Sequence, residues 1–132
     1  MCVALPEPAV ARVSGGSPLA LVPADRGAHV VAVDLARATV TRRIRTLPAP
    51  RSIESNATTA VVAHTTLGRL TLIDGVTLRV RRVVAGFREP RYTAIDPASD
   101  IAFVTDSRAF ELVAVDVHAG RVVSRVALPG PA

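Results

Sequence analysis

The chain has 132 residues, 49% hydrophobic against 20% charged, which excludes a disordered or collagen-like polymer and leaves room for a substantial hydrophobic core. Its formal charge is +5, but all 16 basic residues are arginines scattered along the chain, and the three Phe and one Tyr do not interleave with them as a nucleic-acid stacking platform requires. Nucleic acid is therefore not the expected partner. The single cysteine, Cys2, excludes an internal disulfide and a cysteine metal site, and no apolar run approaches the ~20 residues that span a bilayer.

The N-terminal stretch MCVALPEP has neither a basic start nor an apolar segment of signal-peptide length, so no secretory signal is expected in the chain as written. The compartment stays open: cytoplasmic by default, exported if a further segment precedes Met1. Beyond it, short β-rich runs follow one another with no sustained helical periodicity. LALV at 19 to 22 and VVAV at 30 to 33 lead to Asp34, and an arginine-rich run at 41 to 46 leads to Pro50. AVVA at 60 to 63 and a run ending at Asp74 follow, then RVRRVV at 79 to 84 and Pro90. The last third predicts strands at 91 to 95, 101 to 106, 111 to 116 and 121 to 128.

These runs repeat. Asp34, Asp74 and Asp116 are 40 and 42 residues apart, and fourteen residues before each stands an alanine, Ala20, Ala60 and Ala102. A valine follows each aspartate by six residues (Val40, Val80, Val122), and each unit closes at a proline, Pro50, Pro90 or Pro131. VALPEP at 3 to 8 matches VALPGP at 126 to 131, so the chain begins and ends on the tail of a unit.

Four strands a to d per unit, joined by hairpin-length turns, predict an all-β fold: a β-propeller-type array of three four-stranded antiparallel blades. Residues 1–132 form one segment, with blades at about 9–50, 51–90 and 91–131. Strands b and c read as continuous small apolar runs, the pattern of a sheet packed on both faces. Strand d carries the arginine clusters Arg42, Arg43, Arg45 and Arg79, Arg81, Arg82, as suits a partly solvated outermost strand.

The segment 102–130, AFVTDSRAFELVAVDVHAGRVVSRVALPG, resembles a repeat of the YVTN β-propeller family, which takes in surface-layer and YncE-like proteins. VTD at 104 to 106 stands for the ThrAsn-like strand end, VDVHAG at 115 to 120 for the next strand and its turn, and VV at 122 to 123 for the strand after it. The first two units keep the spacing, the aspartate and the apolar pattern. The resemblance implies a seven-bladed, often exported protein. At this period seven blades need roughly 280 to 300 residues and four about 160. Either the chain is a fragment of a longer propeller, the preferred expectation, or copies complete a ring, a six-bladed dimer being the simplest.

The repeated aspartates Asp34, Asp74 and Asp116 fit turn-capping, since a catalytic carboxylate would not recur in every blade. His29, His64 and His118 occupy different places in the repeat without metal-ligand spacing, so neither a metal site nor a cofactor is expected. His64 and Asp106 are equivalent ends of strand b and are candidate rim residues. Arg51 and Arg91, each following a proline at the start of strand a, are expected at the channel mouth, where two guanidinium groups could hold a carboxylate or phosphate; Ala9 is their counterpart in the first unit. No catalytic residue is assigned.

The function expected is a non-enzymatic binding or interaction module, with a protein or a small anion as ligand. Two alternatives stand: part of a lactonase-like seven-bladed propeller hydrolase, which the resemblance implies, and a truncated propeller remnant without independent function.

Overall fold

The computed structural model describes residues 10–11 and 18–130. Among these there is no α-helix, because β-branched runs cut by Asp, Pro and Gly turns are too short and of the wrong period for one. The first sheet pairs β1 (Val10–Ala11), β2 (Leu19–Pro23), β3 (His29–Asp34) and β4 (Thr39–Arg45) in chain order. The second pairs β5 (Ser52–Ser55), β6 (Thr59–His64), β7 (Arg69–Asp74) and β8 (Val80–Val84), with a 3-10 turn at Thr65–Leu67 between β6 and β7. The third pairs β9 (Pro90–Ile95), β10 (Ile101–Asp106), β11 (Glu111–Asp116) and β12 (Arg121–Ala127). All pairings are antiparallel.

The strands expected at 101 to 106 and 111 to 116 are β10 and β11 residue for residue. Arg79, expected inside a fourth strand with Arg81 and Arg82, precedes β8.

The sheets stack in chain order through alternate side chains. Each has a forward face, toward the following sheet, and a rear face. Val30 and Ile44 on the first sheet's forward face cluster with Ala60, Val62 and Ile73 on the second's rear face. Val61, Ala63, Leu70, Leu72 and Val84 on the second's forward face cluster with Ala102, Val104, Val113 and Val115 on the third's rear face. Burial of one such Val or Leu contributes roughly 1.5–3 kcal/mol, so these two layers hold the array together. First strands approach across the stack: β5 packs on β9, and Ser52 and Thr93 hydroxyls lie 3.0 Å apart. Fourth strands lie at the sheet edges and are largely exposed.

Two features recur without a sequence signature. The pairing of the third and fourth strands slips between Ala32 and Val33, Leu72 and Ile73, and Ala114 and Val115, leaving Thr41, Arg81 and Val123 as the extra residue of a bulge. Outer-strand arginines also tie neighbouring sheets, beyond blocking edges. Arg42 Nη1 donates to Thr77 O (2.7 Å), and Arg81 donates to Val117 O (2.6 Å) and His118 O (2.9 Å).

Continuous apolar burial of the middle strands holds only for the second sheet, where β6 is buried along its whole length. Among the described residues, one face of the first and of the third sheet lacks a neighbouring sheet, and burial alternates along β3 and β10.

Candidate functional site

The antiparallel order puts two kinds of connection on one rim: the turns between second and third strands, and the linkers between sheets. Two buried side chains fasten the linkers. Asp106, at the end of β10, accepts from Arg88 N–H (2.7 Å) and Glu89 N–H (2.9 Å) of the incoming linker and from Ala109 N–H (3.2 Å) of its own turn. His64, its equivalent on β6, places Nδ1 3.0 Å from Pro48 O and Nε2 2.8 Å from Thr71 Oγ1. A neutral ring donating from Nδ1 and accepting the Thr71 hydroxyl satisfies both bonds. Burial holds the imidazole below its ordinary pKa, partly opposed by the Pro48 carbonyl.

Both side chains are fully buried. The expectation of His64 and Asp106 as ligand-facing rim residues is thus corrected: they lie at the anticipated strand ends, but their polar atoms are spent on the backbone. Gly68, in the turn after His64, lies so close to the next linker that a Cβ would collide with Phe87 O.

Above these fastenings lies a cleft of about 500 Å3. Arg51, immediately before β5, and Arg91, in β9, both line it, so the structure brings the two expected arginines to one cavity. The sequence reading missed Arg88 and Glu89 from the second linker, Arg108 from the β10–β11 turn, Thr65 and Thr66 from the β6–β7 turn, and Asp25 from the β2–β3 turn. Repeat register was the usable signal: Arg108 follows Asp106 by two residues as Thr66 follows His64.

Glu89 is shared by two cations, with Oε1 3.5 Å from Arg91 Nε and Oε2 3.7 Å from Arg108 Nε. Among the described residues, no carboxylate lies within ion-pair distance of Arg51 or Arg88. Four guanidinium groups face two carboxylates here, giving a local positive excess that suits a planar anion.

The repeated aspartates lie on the opposite rim. Asp34 Oδ1 accepts from Ala36 and Arg37 N–H (2.9 and 3.0 Å), Asp74 Oδ1 from Val76 and Thr77 N–H (2.9 and 2.8 Å), and Asp116 Oδ1 from Ala119 N–H (2.8 Å). These are the anticipated turn caps. The Thr77 and Val76 amides hold the Asp74 carboxyl below its usual range. Among the described residues, no three His, Cys, Asp or Glu side chains converge as a metal-ligand set. Ala9 and Cys2 lie outside the described residues.

No family model and no curated protein sequence matches the chain. Solved structures do. Hydrazine synthase from Kuenenia stuttgartiensis superposes with TM-score 0.81 at 16% identity, over 99% of this chain and 38% of that one. Apo AztD from Citrobacter koseri gives 0.72 at 17%, over 88% and 33%, and the dihydro-heme d1 dehydrogenase NirN in complex with DHE gives 0.74 at 20%, over 92% and 26%. The chain spans at most 38% of the length of these structures. AztD and NirN are β-propeller proteins whose functions differ, so the likeness speaks to fold alone. With three stacked antiparallel sheets and these neighbours, the chain is a β-propeller-type array of three four-stranded blades.

Proposed function

We propose that the chain is a non-enzymatic binding module, a segment of a YVTN-like β-propeller whose rim cleft takes a small carboxylate or phosphate through Arg51 and Arg91. The observation that carries this reading is the gathering of Arg51, Arg88, Arg91 and Arg108 from separate linkers and turns into one cleft against Asp25 and Glu89. Guanidinium forks match carboxylate and phosphate oxygens bidentately, and among the described residues no carboxylate lies within ion-pair distance of Arg51. Arg91 must leave Glu89 to engage a ligand, but an exposed pair of that length is worth no more than about 1 kcal/mol. The YVTN assignment rests on VTD at 104 to 106 and VDVHAG at 115 to 120, which fall at the end of β10 and the β11–β12 turn.

Calorimetric titration of the chain with citrate and with inorganic phosphate tests the reading. The expected result is saturable binding, weakened about tenfold by Arg51→Ala and by Arg91→Ala, since a hydrogen bond to a charged group is worth roughly 1.5–3 kcal/mol. Equal affinity of both variants and the unaltered chain refutes the site. Lactone hydrolysis by the chain refutes the non-enzymatic reading.

A further inference from the structure

The same repeat positions that are covered in one sheet are open in another. On forward faces, Ile44 and Val84 are 5% and 6% exposed under the following sheet, whereas Val126, their counterpart in β12, is 56% exposed. Phe103, counterpart of the fully buried Val61, is 42% exposed. On rear faces, Val62 and Val104 are fully buried, whereas Val22, their counterpart in β2, is 48% exposed and Val40, on the same face in β4, is 54% exposed. One open face is therefore of the forward kind and the other of the rear kind, and inside this chain those two kinds pack on each other twice.

A polar contact points the same way. Arg125, on the third sheet's rear face, donates to Gly86 O (2.7 Å) in the linker of the sheet behind it and lies over the Phe87 ring, 5.7 Å from its centre. Arg43 stands nine residues after Asp34, as Arg125 stands nine after Asp116. It projects from the first sheet's open rear face, beside Val31, with Nη1 3.4 Å from His29 Nε2. The carbonyl equivalent to Gly86 O is that of Leu128, at the end of the open forward face.

We infer that the two open faces are halves of one interface and that a second copy of this chain covers both, closing a ring of six sheets. The Val22 and Val40 face of each copy seats on the Phe103 and Val126 face of the other, and Arg43 donates to Leu128 O across the seam. A single chain supplies both halves. The contact is head to tail, and it closes only because two seams form at once.

Light scattering coupled to size-exclusion chromatography of the full chain tests this, with Val126→Glu and Val22→Arg as variants at half-exposed positions and circular dichroism to verify their folding. Expected is a discrete dimer at twice 13.8 kDa, monomers for each variant alone, and a dimer again on mixing the two variants. Mixing restores one native seam and places Glu against Arg in the other, which no like-with-like pairing of faces would do. A folded monomer at every concentration, a dimer that survives either substitution, or an open-ended size distribution overturns the inference.

Discussion

The second and third sheets share one four-strand pattern and meet different surroundings. Leu70 and Leu112 occupy the same repeat position on forward faces, yet Leu70 is fully buried beneath the third sheet while Leu112 is only partly covered. What a strand buries in this fold is set by the neighbouring sheet more than by the strand's own residues. Leu70→Ala should therefore cost about 3 kcal/mol of unfolding free energy, through transfer and a cavity that β10 and β11 cannot fill. Leu112→Ala should cost about 1, because its side chain already meets solvent. Urea titration at low protein concentration reads the gap. Equal costs would break the comparison and mean that something covers the third sheet's forward face in solution.

The same contrast explains what was legible in the sequence. The aspartate period and the short β-branched runs of β10 and β11 report local backbone chemistry, so strand positions and the caps at Asp34, Asp74 and Asp116 were readable. Arg51 and Arg91 were placed together because each follows a proline that opens a sheet. Arg88 and Arg108 were not, because their approach depends on how a linker crosses a turn from the next sheet. His64 and Asp106 show the other limit. Repeat register located their strand ends, but only the crossing linker, with Pro48 O above one and the Arg88 and Glu89 amides above the other, turns a rim position into a buried fastening.

The His64 fastening weakens in acid. The His64 ring has its pKa lowered from 6.5 by burial, so above that value it is neutral in both folded and unfolded chains. As pH falls through 6.5, the unfolded chain takes up the proton first, and stability declines toward the folded-state pKa, by at most about 1.4 kcal/mol per pH unit for one proton. Thermal unfolding between about pH 7 and pH 5.5 should show a slope that His64→Gln flattens. A slope unchanged in His64→Gln would assign the acid sensitivity elsewhere.

The smallest effect separates the first and third sheets at the turn between third and fourth strands. The fourth residue after the capping aspartate is left-handed in each: Ala38 at φ 52°, Leu78 at φ 56° and Gly120 at φ 70°. An L-residue there costs roughly 1–2 kcal/mol, and glycine gives back about 0.5–1 through its freedom when unfolded. Ala38→Gly should therefore stabilise by about 0.5 kcal/mol, its side chain being exposed. The reverse change at the same repeat position does more than restore the strain. A Cβ at Gly120 would run into Arg82 Cδ, whose stem crosses from β8 onto this turn, so Gly120→Ala must also displace a contact between sheets. It should cost about 1 kcal/mol or slightly more. If Ala38→Gly and Gly120→Ala give equal and opposite shifts in denaturation midpoint, the Arg82 contact carries no weight and backbone conformation alone distinguishes the two turns.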